Sequence, residues 1–576
     1  MTDPGAVAGV LLVALATIAV GSRGVRVSRT PADFLVAARQ VPAVLNASAI
    51  SGEYLSAASF LGIAGLAVAD GVGALWYAVG YAAGYLVLLT TVAAPLRRFG
   101  AYTIPDFAEG RLDSPLLRRV ATVLVLFICG FYLLPQMEGA GETLQVVLGG
   151  PYWVGVVVLG VLVTGAIASG GMKGITFVQS FQYWLKLSAI AVPALALLFV
   201  FAHPPLHQVA GPAPDRFVHP TTVRFPAEET VTLPGPLRLD VHGRIDRQPF
   251  DGATRLAAGP HLVAAGTSVV FPAGTAAPQV SGRPELSATE WSSPLVRLDG
   301  RTVHPLAATY GVILATFLGA LGLPHILVRF YTNPDGQAAR RTTAFVVLFL
   351  SFFYLWPAVF AILGRLEAPG LYLTGRTDTV VLVLPRLAAA GLPARLLTAL
   401  TAGGAFAAFL STSSGLLIAM SGALSHDIMK RGVTAFRWSA AGAGAVMTAA
   451  GLAVAGTSIN VLVGWAFAVA ASSFCPLLVL GIWWPRLTWP GALAGLVLGG
   501  GSSSAAVVAS LAGAGRSGWW AVLLGVPAIW TVPLAFTTMI AVSLLTADRV
   551  PADVMHKLLT LHLPEDVRRR PAASRL

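Results

Sequence analysis

Thirteen windows of this chain, about 5–22, 42–69, 72–95, 120–148, 152–169, 177–201, 306–328, 342–364, 395–424, 436–455, 458–483, 489–512 and 518–546, are nearly free of charge. A helix of about 20 apolar residues is what a bilayer core of about 30 Å requires. Only 11% of the 576 residues are charged and 56% are hydrophobic, with a mean hydropathy of +0.74. That is too little charge to cover a water-soluble surface of this size. The reading is an all-α polytopic membrane protein with the lipid bilayer as its solvent.

The net charge of +12 is placed as a topology signal, not as a nucleic-acid footprint. Basic residues gather in short loops: Arg23, Arg26, Arg29 and Arg39; Arg97, Arg98, Arg111, Arg118 and Arg119; Arg340 and Arg341; Lys430 and Arg431; Arg568, Arg569 and Arg570. Positive loops stay cytoplasmic, which puts the N-terminus outside and the C-terminus inside. Arg365, Arg376, Arg386 and Arg395 run against that bias, in a loop placed outside. The apolar stretch from about Ala6 to Val20 lacks a basic leader and a small-residue cleavage site, so it reads as a retained helix. Cys129 and Cys475 lie in apolar spans, which suggests neither a disulfide nor a metal site. Arg outnumbers Lys, and Ala and Gly are abundant, as in GC-rich bacterial genomes; the expected location is a bacterial plasma membrane.

Residues 203–304 are too polar and Pro-rich to span anything. They hold nine Arg and nine Asp plus Glu. Alternating pieces such as Leu237–His242 and Val263–Phe271 predict short strands between Gly and Pro turns, hence a small β-rich extracytoplasmic insertion, a decoration or a lid. Around it the spans sort into two sets of five, 42–201 and 306–483, as in an inverted repeat. The expected domains are 1–41 (extra helix and cytoplasmic loop), 42–201, 202–305 (insertion), 306–483, 484–546 (two helices) and 547–576 (cytoplasmic tail).

Each set of five opens with an interrupted span. Polar and Gly residues at mid-depth interrupt Leu45–Gly62, and Gly and Pro residues interrupt Phe317–His325. Irregular backbone at membrane depth is tolerated only where it is buried in protein or lines a cavity, and paired broken helices point to a solute and ion site. A third segment, Ala405–Gly415, carries four consecutive hydroxyls, Ser411 to Ser414. They suit carbonyls one turn back or close helix packing. Packing is the first reading of this segment alone; the second is a monovalent cation held by the hydroxyls together with carbonyls freed by a break.

Three motifs in order resemble the sodium:solute symporter family, and its cation/acetate branch in particular: Leu55-Ser56-Ala57-Ala58-Ser59-Phe60-Leu61-Gly62, Gly322-Leu323-Pro324-His325-Ile326-Leu327-Val328-Arg329-Phe330, and Ser411-Thr412 with Ser425-His426-Asp427 downstream. Gln136-Met137-Glu138-Gly139-Ala140-Gly141 fits as well. The likeness covers roughly residues 30 to 545. It implies a LeuT-like five-plus-five inverted repeat. It also implies a Na+ site made by the carbonyls of Gly52, Leu55 and Ala408 and the side chains of Ser411 and Thr412. Substrate contacts fall on Ser56 and Ser59, with Phe317 and Phe406 either walling the site or packing as core aromatics. Glu53 and Glu138 are candidates for coupling, because a mid-membrane carboxyl costs about 2.5–3.5 kcal/mol unless it faces the protein interior. The branch tends to place Asp where this chain has Glu53, and the proline-transporting branch has Asp where it has Tyr54. Arg329, near the cytoplasmic end of its helix, reads as snorkelling to the interface or touching a neighbouring loop, with a place on an anionic substrate's exit path as the alternative, and Asp427 reads as pairing with basic neighbours at the inner surface.

The resulting expectation is a sodium-coupled importer of a small monocarboxylate such as acetate, propionate or pyruvate, working by alternating access with Na+ as coupling ion. The alternatives are a sodium- or proton-coupled symporter of another organic solute, such as an amino acid, or a transporter-like sensor. No nucleophile–base pair or metal-spaced His/Asp/Glu cluster suggests an enzyme, and no obligate protein partner is inferred.

Overall fold

The computed structural model describes residues 4–25, 41–201, 217, 220–281, 288–298, 304–388, 391–429, 432–456, 458–515 and 517–565. Inside hydrocarbon only a helix satisfies its own backbone, and the apolar windows fold accordingly. Among the described residues nine helices are long and apolar enough to cross a membrane. Two helices bent by 69° at a short break make a tenth span, and Pro4–Ala19 and Tyr152–Ala168 are shorter apolar helices. Of the basic clusters, Arg26, Arg29, Arg39, Lys430, Arg431, Arg568, Arg569 and Arg570 lie outside the described residues, as do 202–216, 282–287 and 299–303 of the insertion.

The helices that shape the site are α1 (Pro4–Val25), α2 (Ala43–Tyr54), α3 (Ile63–Asp70), α4 (Trp76–Thr91), α5 (Pro115–Leu148), α6 (Tyr152–Phe201), α7 (Pro305–Gly319), α8 (Pro324–Phe330), α9 (Gly336–Phe353), α10 (Trp356–Glu367), α11 (Gly391–Gly422), α12 (Val433–Gly451) and α13 (Ile459–Ala471). The windows 152–169 and 177–201 run together as one 50-residue helix, α6. The core axis is α11, buried on every side from Thr401 to Gly422. Its small residues allow close approach: Gly403 meets Gly9 and Val13 of α1, and Gly404 meets Ala189 of α6.

Both interruptions expected from sequence are present. Helix α2 stops at Tyr54; Leu55 turns out of the helix (φ −72°, ψ 84°), and a π-helical turn at Ala58–Gly62 leads into α3. The N–H of Ala57, freed by the break, donates to Gln136 Oε1 at 2.9 Å, as buried backbone donors must be paired. In the second half, α7 passes through a 3-10 turn at Ala320–Gly322 to an extended Leu323 (φ −73°, ψ 114°), and α8 begins at Pro324. A residue before proline is pushed out of the helical region, and proline is preorganised for a first helical position. The sequence therefore sets this break locally.

The insertion is a curled antiparallel sheet of seven strands, β1 (Thr221–Arg224), β2 (Glu229–Leu233), β3 (Leu237–Ile245), β4 (Gln248–Leu256), β5 (Gly259–Val263), β6 (Ser268–Phe271) and β7 (Gln279–Val280). Their order is β1-β6-β3-β5-β2-β7, with β4 paired to β3. Its core, including Val223, Leu239, Val241 and Phe271, is separate from that of the helices and touches them at Leu373. Beyond the sheet, the Trp291 indole donates to the carbonyl of Ala67 in α3 at 2.8 Å, and Trp76 donates to that of Pro294 at 2.8 Å. The anomalous arginines have work on this side: Arg365 lies over the Trp291 ring at 5.4 Å, and Arg376 reaches Gln145 at 3.4 Å.

Candidate functional site

Helix α6 carries Thr176, Gln179, Tyr183 and Lys186 at spacings of three, four and three residues, which place all four on one face. That face packs on both the first break and α11. Gly52 is what allows the approach, since a Cβ there would run into the main chain of Gln179. Ser411 and Thr412 of α11 arrive from the other side.

The oxygens expected around a cation do converge. The Ser411 hydroxyl lies 2.7 Å from the Gly52 carbonyl and 3.2 Å from the Ala408 carbonyl. Thr412 donates to the carbonyl of Glu53 at 2.5 Å. In the middle sits a group absent from the sequence reading, the ammonium of Lys186. It donates to the Leu55 carbonyl at 2.8 Å, to Ser411 Oγ at 2.5 Å, and to the Gly52 carbonyl. An ammonium has three protons and no acceptor, and here it has three oxygens. Lys186 is fully buried. Two unit charges about 3 Å apart repel by about 5 kcal/mol at an effective dielectric of about 20. The Lys186 nitrogen and a sodium ion would therefore compete for the same three oxygens. The signal that would have found Lys186 is its position: a lysine in the apolar window 177–201, where charge is costly and therefore functional by default.

Beside this seat, Arg329 is wholly buried, which corrects the expectation that it snorkels. Its Nε meets Glu53 Oε2 at 2.6 Å, its Nη1 donates to Thr176 at 2.9 Å, and its Nη2 donates to Gln179. A guanidinium this deep, wholly shielded from solvent, takes the carboxylate, hydroxyl and amide within reach.

Past the break, Ser59 Oγ and the Tyr354 hydroxyl are 2.9 Å apart. Ser56 is buried next to Leu55. A group of rings closes around them. Tyr54 meets Tyr85 edge-on at 4.9 Å, Tyr81 meets Phe467 at 4.6 Å, and Tyr132 meets His325 at 5.2 Å. Tyr54, Tyr81, Tyr85, Tyr132 and Phe467 are all nearly inaccessible to solvent. Among the described residues the hydroxyls of Tyr81 and Tyr85 and both ring nitrogens of His325 have no hydrogen-bond partner. Such a buried group costs about 1–3 kcal/mol unless something satisfies it; the two hydroxyls and the single N–H of a neutral imidazole are donors that suit a ligand with acceptor oxygens.

The other expected site residues lie on α11, α7 and α5. Phe406 is buried on α11 against Phe409, at 6.5 Å between ring centres. Phe317 is half-buried on α7, its carbonyl facing Gly84. Glu138 accepts from the Tyr152 hydroxyl at 2.5 Å and from the N–H of Gly456 at 2.7 Å. Asp427 meets Arg118 at 2.7 Å and Thr103 at 3.0 Å. Cys129 and Cys475 are both buried as free thiols.

This arrangement has known counterparts. The sequence profile of the sodium:solute symporter family matches residues 34–204 and 285–499, on either side of the sheet. An uncharacterized symporter of Cupriavidus necator is 29% identical, over 90% of this chain and 88% of its own length. An uncharacterized symporter of Bacillus subtilis is also 29% identical, over 91% and 90%. Among solved structures, a Na+-coupled sialic acid symporter in its substrate-bound outward-open state superposes with a TM-score of 0.63 at 14% identity. It covers 93% of this chain and 98% of its own, which gives the LeuT-like fold. The chain belongs to the sodium:solute symporter family.

Proposed function

We propose that this symporter imports a small monocarboxylate, of the size of acetate, propionate or pyruvate, across a bacterial plasma membrane by alternating access. Its cation seat would be Gly52, Leu55, Ala408, Ser411 and Thr412, and its solute would bind at Ser56 and Ser59 next to that seat. The observation that carries the reading is the buried set of unpartnered donors, Tyr81, Tyr85 and His325, close to a cation seat. Donors without acceptors, beside a positive charge, favour a compact anion.

An amino acid is the second reading, and one contact disfavours it. The carboxylate at the first break, Glu53, is ion-paired with Arg329, so a substrate amino group would find no counter-charge there. A buried cation left without a partner is costly. The guanidinium of Arg329 is in turn committed to Glu53, Thr176 and Gln179, which leaves the solute carboxylate to hydroxyls and imidazole.

The test is uptake of labelled acetate into proteoliposomes holding the purified chain. Inward sodium and inward proton gradients are applied separately, with propionate, pyruvate and alanine as competitors. Gradient-driven accumulation, displaced by propionate and pyruvate but not by alanine, is expected. Folded protein that moves no acetate under either gradient would overturn the substrate assignment.

A further inference from the structure

The oxygens expected to hold a cation are already in contact with the side-chain nitrogen of Lys186. We infer that the Lys186 ammonium replaces a mobile sodium ion at this seat, so that Na+ does not bind between the first broken helix and α11 in the native protein. The inference rests on reading those oxygens as a cation seat, and not on which solute is carried.

Geometry carries the argument. A sodium ion at a broken helix is held by unwound carbonyls and neighbouring hydroxyls. Two of the three oxygens on Lys186 Nζ are such carbonyls, Gly52 and Leu55, on either side of the place where α2 ends. The third is the hydroxyl of Ser411, the first residue of the α11 hydroxyl run. The ammonium thus bridges the same two elements that an ion would bridge. The remaining two oxygens are not waiting for an ion. The Ala408 carbonyl accepts from Ser411 at 3.2 Å, and the Thr412 hydroxyl donates to the Glu53 carbonyl at 2.5 Å.

The charges nearby agree with a tethered cation. The Glu53 carboxylate is bound to Arg329, and the three atoms touching the Lys186 nitrogen are neutral oxygens. A lysine kept only for an ion pair would seek a carboxylate; this one is fitted to a neutral oxygen cage. Its stem comes from α6, whose Gln179 also donates to the Ser411 carbonyl at 2.7 Å. The cage and its occupant are therefore positioned by the same helix.

The experiment measures retention of radiolabelled sodium by the purified full-length chain in detergent, with choline chloride keeping ionic strength constant and no solute added. Wild type, Ser411→Ala, Lys186→Met and Lys186→Met/Ser411→Ala are compared. Methionine keeps most of the stem's bulk and removes the charge. Ser411→Ala should leave wild-type sodium retention unchanged. Lys186→Met should gain one saturable sodium ion per chain, and adding Ser411→Ala should abolish that gain. A wild type that loses sodium on Ser411→Ala overturns the inference. A folded Lys186→Met that gains none overturns it too, by showing that these oxygens are not a cation seat. Should Lys186→Met fail to fold, the wild-type and Ser411→Ala pair decides alone, with Thr412→Ala as a replacement that leaves the lysine's own contacts intact. An error in the substrate assignment would show in acetate uptake and leave the sodium result untouched.

Discussion

Arg329 and Glu53 form an ion pair, 2.6 Å from Nε to Oε2, in which both side chains are 1% exposed or less. It joins the two broken spans to each other, since Glu53 lies in the last turn of α2 and Arg329 in the last turn of α8. A buried pair contributes little net stability, but stripping it of one partner leaves an uncompensated charge and costs about 3–5 kcal/mol. Glu53→Gln and Arg329→Gln should each lower the thermal midpoint and yield sharply. Glu53→Gln/Arg329→Gln should be more stable than either. Thermal unfolding of the purified variants, followed by size-exclusion chromatography, reads this directly. A double variant as impaired as the two losses added together would mean that the residues act separately.

The same carboxylate explains a glycine. A Cβ built on Gly415 of α11 would run into Glu53 Oε1 and its carboxyl carbon, and in a core packed like a crystal something must then move. Gly415→Ala should push Glu53 off Arg329 and destabilise by about 1–3 kcal/mol, the usual range for overpacking. Gly442→Ala is the control: α12 is helical there and nothing lies within 4 Å of the added methyl, so helix propensity predicts no loss and up to about 1 kcal/mol of gain. Equal thermal midpoints for the two variants would refute the steric account.

What the sequence revealed and what it hid divide along locality. The spans, the two breaks and the Ser411–Thr412 run are legible because each is a contiguous pattern. Glycine and Pro324 interrupting an apolar stretch act on their own backbone. The Glu53–Arg329 pair joins residues 276 positions apart, and no local pattern marks it. Arg329 therefore read as interfacial when it is wholly buried. The tyrosines are hidden for the same reason: Tyr81 and Tyr85 come from α4, Tyr132 from α5, and Tyr354 from just after α9. Lys186 is different. A lone lysine in an apolar window, on one face with Thr176, Gln179 and Tyr183, was there to be weighed on its insertion cost of about 2.5–3.5 kcal/mol.

Ser59 was a sequence candidate, and the structure gives it a partner, Tyr354, at 2.9 Å. In a solute site this pair should act together. Ser59→Ala and Tyr354→Phe should each raise the half-saturating concentration of the transported solute about two- to tenfold, the worth of one hydrogen bond of about 0.5–1.5 kcal/mol. The double variant should be little worse than either single, which is the mark of a coupled pair. Binding of the transported solute to purified protein, measured beside the thermal midpoint, separates contact from stability. Additive losses would show that the two hydroxyls do not share a role.

The seven-stranded sheet and the strap that follows it should differ in importance. The sheet has its own core and meets the helices through Leu373, while Gly370 faces Val223 and Thr221. The strap is wired into the transporter: Trp291 donates to the Ala67 carbonyl at 2.8 Å, lies under Arg365 at 5.4 Å, and abuts Gly71 where the chain leaves α3. Gly71 has φ +96°, a backbone conformation that glycine adopts at little cost. Replacing residues 221–280 by a short Gly-Ser linker should therefore leave solute uptake within about twofold, since a loop of altered length adds only a few tenths of a kcal/mol. Trp291→Ala removes a buried aromatic and a hydrogen bond, and should cost about 3–5 kcal/mol. Uptake and thermal midpoint measured on both variants decide the matter. A linker variant as impaired as Trp291→Ala would make the sheet part of the transport machinery.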